Sequence, residues 1–160
     1  MQWSIIPGYD FRQELGELFA AYGQMLVAGD AAMAAYLNQQ GYAEELDHLQ
    51  EKYGGADGRL YIAVTERGVS GCVALRRLNG ECCEMKRLYV DPACRGCGIG
   101  RALVRRVKAD ARDMGYAAML LDTLPFLTDA VALYEQEGFY RIPRYNDSPL
   151  EQTYFYRLDL

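Results

Sequence analysis

The residues with the clearest chemical meaning form a glycine-rich loop, Arg95-Gly96-Cys97-Gly98-Ile99-Gly100. It follows a strand-like run from Glu84 to Val90 and precedes an amphipathic helical pattern. Three glycines in five positions allow a tight turn and keep side chains away from a ligand on the main chain. The free N–H groups of a helix start bind anions, because the helix dipole adds positive charge there. Together with the flanking charges of Arg95 and Arg101, the loop predicts a phosphate or pyrophosphate site.

Two better-known phosphate loops are excluded by spacing. The chain has no G-x-x-x-x-G-K-[ST] string, and its glycines do not follow the G-x-G-x-x-G rhythm with an acidic residue about 20 positions later. Glycine-rich turns are also common without a ligand, so spacing alone leaves a flexible turn as the alternative.

Two motifs carry a resemblance to a known family. Arg95-x-x-Gly98-x-Gly100 resembles the [Q/R]-x-x-G-x-[G/A] acetyl-CoA loop of the GNAT N-acetyltransferase superfamily. Further on, Ala130-x-x-Leu133-Tyr134-x-x-x-Gly138-Phe139 is similar to that superfamily's later A-x-x-L-Y-x-x-x-G-F segment. The motifs stand in the expected order, and the likeness extends over roughly residues 60–143.

The resemblance implies a role for each motif residue. The backbone of residues 96–101 would hold the pyrophosphate of acetyl-CoA, and free N–H groups of Leu88, Tyr89 and Val90 would meet the pantetheine and the thioester. Tyr134 would donate a proton to the leaving thiolate, since a phenol with an ordinary pKa of about 10 is protonated at neutral pH. One position departs from the family pattern. Many relatives have an asparagine seven residues before this tyrosine, where this chain has Leu127.

Glu84 is the candidate for the base that deprotonates the acceptor amine. It precedes Arg95 by eleven residues, where some superfamily members place a glutamate that acts directly or through water. A carboxylate in a cleft would need a raised pKa for this task. The alternatives are that Glu84 binds the ammonium of the substrate or pairs with a basic neighbour. Strand alternation places Glu84, Lys86, Leu88 and Val90 on one face.

Composition limits the class of protein and of partner. The chain has 160 residues, 51% of them hydrophobic and 24% charged, which predicts one globular domain over residues 1–160. No apolar run is long enough to span a membrane, and no signal peptide is visible, so we expect a cytoplasmic protein.

The net charge is −5, yet the stretch from Lys86 to Arg112 carries eight basic and two acidic residues, hence +6, leaving −11 elsewhere. This balance favours a small polyphosphate ligand over nucleic acid, while Arg105, Arg106, Lys108 and Arg112 are interpreted as the solvated side of a helix.

The five cysteines do not form a recognisable framework. They are Cys72, Cys82, Cys83, Cys94 and Cys97, an odd number that predicts reduced thiols. Cys94 and Cys97 form a C-x-x-C string, but the only histidine, His48, is remote in sequence, so we expect no metal site.

The sequence also predicts the strands and helices that must position these residues. The patterns predict strands at 2–6, 60–65, 69–76, 82–90, 117–122, 139–142 and 153–160. They predict helices at 11–27, 99–114 and 128–137, and a helical region at 31–53 in which Gly41 is a candidate interruption. Asn79-Gly80 is a strong hairpin signal, and Asp10 is the expected cap of the first helix. Hairpins followed by a βαβ unit predict an α/β fold with a mixed, mostly antiparallel sheet flanked by helices, as in the GNAT superfamily.

The expected function is transfer of an acetyl group from acetyl-CoA to an amine on a small molecule, by direct attack in a ternary complex. The alternatives are a non-catalytic acyl-CoA-binding module and an acetyltransferase of protein N-termini or lysines. The sequence contains no motif that identifies the acceptor, although Tyr145 or Asn146 is expected to contact it. Neither nucleic acid nor a membrane is an expected partner, and the choice between monomer and homodimer stays open.

Overall fold

A computed structural model describes residues 1–160, in which all seven strands join in one sheet of order β1-β2-β3-β4-β5-β7-β6. Every neighbouring pair is antiparallel except β4 and β5, so the predicted mixed, mostly antiparallel sheet is confirmed. The strands are β1 Trp3–Pro7, β2 Arg59–Thr65, β3 Gly68–Arg77, β4 Cys82–Val90, β5 Ala118–Thr123, β6 Tyr140–Ile142 and β7 Tyr154–Asp159.

Five helices cover the two faces of the sheet. They are α1 Arg12–Gly29, α2 Met33–Gln39, α3 Leu49–Tyr53, α4 Ile99–Asp113 and α5 Thr128–Gln136. The apolar side of α4 packs with Tyr134 of α5 in the largest buried cluster, while α1 and α3 pack on the opposite face. No helix has both the length and the apolar character that a membrane span requires.

Two helix predictions need correction. Asp10 does not cap α1, because the helix begins after Phe11 and no side chain bonds to its first turn. The helical region predicted at 31–53 does break at Gly41, as the sequence allowed, but its second part is only a 3-10 turn at Glu45–Asp47 followed by α3. Gly41, with φ of 67°, ends the first part, α2, since this left-handed conformation does not continue a helix.

Strands β4 and β5 separate after a short stretch of pairing. Their parallel register covers only Cys82, Cys83 and Glu84 on β4, so the strand from Met85 onward has no neighbour on that side. Beyond this point the sheet opens into a cleft that the first two helices and α5 surround.

A β-bulge lies in the part of β4 that borders the opening. Ala74 pairs with Lys86 and Cys72 with Tyr89, so Val73 alone faces both Arg87 and Leu88. Arg87 has φ of 60°, and it is the only residue other than glycine with positive φ. The extra residue reverses the alternation, so Leu88 and Val90 pack towards α4. The expectation that they share a face with Glu84 and Lys86 is therefore wrong.

Candidate active site

The glycine loop presents a row of free backbone donors. Gly98 is the N-cap of α4 with φ of 85°, and Gly96 has φ of 79°, conformations that favour glycine. None of the N–H groups of residues 96–101 donates to an acceptor in the protein. A Cβ added at Gly96 or Gly98 would meet no atom within 4 Å, so the space in front of the loop is open. Six free donors at a helix start fit a pyrophosphate group well.

The two arginines beside the loop already have protein partners. Arg95 donates from Nε to the Val90 carbonyl at 2.9 Å, and its guanidinium lies 5.6 Å from the Tyr89 ring centroid. Arg101 places Nε 3.3 Å from Glu137 Oε1 and donates to Gln136. The backbone N–H groups are therefore the main anion-binding feature, and the arginines add positive charge around them.

Tyr134 lies on α5, at one side of the cleft. Its side chain is largely buried, packs edge-on against Phe139 at 5.9 Å and lines the cleft beside Asp122 and Tyr22. The phenol makes no hydrogen bond to protein. Burial, and then the charges of neighbouring groups, raise the pKa of Tyr134 well above its ordinary value of 10.0. The phenol is thus protonated at neutral pH and free to donate.

Glu84 is held by three neighbours and does not line the cleft. Its carboxylate accepts hydrogen bonds from Arg76 Nε at 2.9 Å and from the Tyr145 hydroxyl at 2.6 Å, and Lys86 Nζ lies 3.6 Å away. Burial raises the pKa of Glu84, but the charge of Lys86, the Tyr145 hydrogen bond and Arg76 outweigh it and lower the pKa below 4.5. This direction is opposite to the one that a general base needs. Of the alternatives left open by the sequence, pairing with basic neighbours is the one the contacts support.

Asp122, which the sequence did not single out as a functional residue, does line the cleft. Asn146 Nδ2 donates to its Oδ2 at 2.6 Å, and the Tyr36 hydroxyl lies 3.5 Å from the same oxygen. Oδ1 accepts no bond from the protein, so one carboxylate oxygen remains available to a ligand. The only signal in the sequence was a single carboxylate directly after the apolar run from Ala118 to Leu121.

The chain that forms this cleft and loop matches a recognised family. Residues 28–139 match the model of the Acetyltransferase (GNAT) family. The chain belongs to this family. It is 39% identical to an uncharacterized N-acetyltransferase of Schizosaccharomyces pombe over 78% of this chain and 77% of the relative.

Solved structures with the same fold include two acetyltransferases. An acetyltransferase from Streptococcus agalactiae superposes with a TM-score of 0.80 at 22% identity, covering 99% of this chain and 98% of its own. The PaiA N-acetyltransferase of Thermoplasma acidophilum, in complex with coenzyme A, has a TM-score of 0.75 at 15% identity, with 100% of both chains covered. These structures confirm the predicted fold, while the family match and the Schizosaccharomyces pombe relative confirm the prediction of a GNAT acetyltransferase.

The GNAT N-acetyltransferase departs from its family motif at Leu127, and the structure shows what that residue does. Leu127 is the N-cap of α5, makes no side-chain cap, and packs with a small apolar cluster that includes Leu26 and Leu124. An apolar contact thus replaces the polar group usual at this position.

The segment that contains Tyr145 and Asn146 contacts the site through the carboxylates of Glu84 and Asp122. Tyr145 bonds to Glu84 and Asn146 bonds to Asp122, but neither side chain lines the cleft. The predicted direct contact of Tyr145 or Asn146 with the acceptor has no support in this arrangement, whereas an indirect role through the carboxylates does.

Two further sequence interpretations are settled by burial. Cys94 is buried and Cys97 exposed, and all five cysteines are free thiols. Lys108 is not a solvated residue of α4, because its side chain is only 12% exposed and Nζ donates to the Glu137 carbonyl at 2.7 Å. Arg105 bonds to the same glutamate through Nε at 3.1 Å, so α4 and α5 are joined by charge as well as by apolar packing.

Proposed function

We propose that this GNAT enzyme transfers the acetyl group of acetyl-CoA to the primary amine of a small molecule, by direct attack in a ternary complex. The observation that carries the proposal is the position of the free Tyr134 phenol, in a cleft that opens where β4 leaves β5. The loop with six unpaired N–H groups follows directly from that same strand.

Each part of the site has a task in this reaction. Bound acetyl-CoA supplies an activated acyl thioester. Residues 96–101 hold its pyrophosphate with backbone N–H groups, assisted by the charges of Arg95 and Arg101. The backbone of Leu88, Tyr89 and Val90, freed by the bulge and by the departure of β5, meets the pantetheine arm and polarises the thioester carbonyl.

The remaining tasks concern protons. Asp122 holds the acceptor ammonium through its free Oδ1, one proton passes to solvent water, and the neutral amine attacks. A C–N bond forms, the C–S bond breaks, and the thiolate takes the proton of the Tyr134 phenol. The phenolate then takes up the second proton that the nitrogen loses as the amide forms, which restores Tyr134. Glu84 is a positioning residue that orders Arg76, Lys86 and Tyr145 around the cleft.

Two measurements test the proposal. Calorimetry with acetyl-CoA is expected to show binding in the micromolar to millimolar range, and a panel of amines is expected to release free thiol. No binding at millimolar acetyl-CoA contradicts the proposal outright. Binding with no thiol release from any amine leaves the non-catalytic acyl-CoA-binding module instead. Turnover on a protein N-terminus or lysine far above that on any small amine contradicts the choice of acceptor.

A further inference from the structure

The cleft beside Tyr134 is lined by aliphatic, aromatic and charged side chains. Leu26, Met33 and Leu37 come from the first two helices, while Lys86 and Asp122 come from β4 and β5. Polar atoms make up most of the surface that the cleft exposes, so a matching acceptor must carry polar groups of its own.

One charged side chain in this wall has no hydrogen-bonding partner. Lys86 is only 11% exposed, and its Nζ donates no hydrogen bond to the protein. Its nearest carboxylate oxygen is Glu84 Oε1, 3.6 Å away, which is within ion-pair range but outside hydrogen-bond distance. That carboxylate is already occupied by Arg76 and Tyr145.

A buried ammonium with three free N–H donors is unfavourable unless an acceptor reaches it. Burial lowers the pKa of Lys86, although the nearby Glu84 carboxylate opposes this change. Since Lys86 also lines the open cleft, its ammonium can bind a negatively charged oxygen of a ligand.

The opposite charge lies in the same cleft. Asp122 keeps Oδ1 free, while Asn146 holds Oδ2 at 2.6 Å and so fixes the carboxylate. A ligand that carried only an amine would pair with Asp122 and leave the N–H groups of Lys86 without a hydrogen-bond acceptor. A ligand with both an ammonium and a carboxylate would satisfy both residues.

We infer that the acceptor is an α-amino acid, whose amine lies at Asp122 and whose carboxylate lies at Lys86. This inference rests on the proposed acetyl transfer and narrows its acceptor to one chemical class. The carboxylate takes no part in bond making, so the products are the N-acetyl amino acid and free thiol.

The first experiment uses the unmodified enzyme and matched acceptors. Thiol release is measured with leucine, leucinamide and 3-methylbutylamine, and with phenylalanine and 2-phenylethylamine. Because a hydrogen bond to a charged group contributes about 1.5–3 kcal/mol, kcat/KM is expected to be about 10- to 100-fold higher for each amino acid. Equal or higher kcat/KM for the amines would overturn the inference while leaving acetyl transfer intact, whereas absence of acetyl-CoA binding would overturn both.

The second experiment assigns the preference to Lys86. In Lys86→Met the ratio of kcat/KM for leucine over 3-methylbutylamine is expected to fall towards one, and in Lys86→Arg it is expected to recover in part. Lys108→Met is the matched control, because that lysine is equally buried but lies outside the cleft, and its ratio should match the unmodified enzyme.

The outcomes are distinguishable. If Lys86→Met lowers kcat/KM for leucine and for the amine by the same factor, Lys86 acts on the reaction and not on the acceptor carboxylate, and the inference fails. If Lys86→Met does not fold, the comparison of acceptors on the unmodified enzyme and on Lys86→Arg decides the question.

Discussion

Glu45 and Arg87 form a buried ion pair that fixes the bulge of β4. The two residues are 42 positions apart, and Arg87 donates from Nε and from its terminal nitrogen to the two carboxylate oxygens at 2.8 and 2.9 Å. The guanidinium also lies 4.8 Å from the Tyr42 ring centroid, and the Cys72 thiol donates to the Arg87 carbonyl at 3.2 Å. Contacts of both its side chain and its carbonyl therefore hold Arg87 in its unusual backbone conformation, with φ of 60°. Arg87 directly precedes the backbone that we propose meets the thioester.

Removing the charge of Glu45 is expected to destabilise the protein strongly. Glu45→Gln leaves the Arg87 guanidinium buried without its counter-ion, and breaking such a pair typically costs about 3–5 kcal/mol. Urea denaturation followed by circular dichroism measures the free energy of unfolding. Asp47→Asn is the control, because its pair with Arg12 is exposed and its loss should leave the midpoint unchanged. An unfolding free energy for Glu45→Gln equal to that of the control would show that the pair does not stabilise the fold.

Acid is expected to destabilise the protein through the same carboxylates. Burial raises the pKa of Glu45, but the hydrogen bonds and charges of Arg87 and Lys52 outweigh burial and lower it below 4.5, and Glu84 is lowered likewise. A carboxyl whose pKa is lower in the folded state contributes stability above its unfolded pKa and loses it as the pH falls. The free energy of unfolding should thus be flat near neutral pH and fall as the pH drops below about 5. In Glu45→Gln the decline should be shallower, and an equally steep decline would remove Glu45 from this explanation.

The main elements of the fold could be predicted because their signals are local. The Asn79-Gly80 turn and the alternation on either side predicted β3 and β4, and the predicted range 82–90 is the one observed. The period of apolar residues after the glycine loop predicted α4, since a single amphipathic helix needs no distant partner for its pattern to be visible.

The bulge and the cleft carboxylate could not be predicted in this way. The conformation of Arg87 depends on Glu45, which reaches it only after the chain has folded, and the extra residue then reverses the faces of Leu88 and Val90. The same holds for Asp122, whose role depends on Asn146 from a segment 24 residues later in the chain. Local patterns indicate strands, but they do not show which polar side chains the tertiary structure brings together.

Releasing Asp122 from its partner is expected to weaken acceptor binding. Asn146→Ala removes the donor at 2.6 Å from Oδ2, so the carboxylate loses its fixed orientation. The acceptor KM should rise about tenfold, which corresponds to the loss of one hydrogen bond to a charged group. The affinity for acetyl-CoA should stay the same. The adjacent exposed Asp147 provides the control variant, Asp147→Ala. If alanine at both Tyr145 and Asn146 left the acceptor KM unchanged, this segment would have no part in the site.

The loop prediction is tested by a comparison of two glycines with the same backbone conformation. Gly98 and Gly115 have φ of 85° and 84°, so valine at either position introduces similar strain of about 1–2 kcal/mol. Only Gly98→Val places a branched side chain in front of the free N–H groups, and it is expected to abolish measurable acetyl-CoA binding in calorimetry. Gly115→Val, at the end of α4, should lose stability but retain affinity. Normal affinity in a folded Gly98→Val variant would show that the loop does not hold the pyrophosphate.

Tyr134→Phe is expected to lower kcat by about 10²- to 10⁴-fold, the usual contribution of a general acid. Affinity for acetyl-CoA should change little, because the phenol acts when the thiolate leaves and makes no hydrogen bond that positions the resting site. Tyr156→Phe is the matched control. Its ring lies 6.3 Å from that of Tyr134 in the same cluster, but its hydroxyl donates to Glu135 at 3.0 Å and lies outside the cleft. Single-turnover thiol release measured for both variants separates loss of chemistry from loss of packing, and equal kcat in the two would remove Tyr134 from the mechanism.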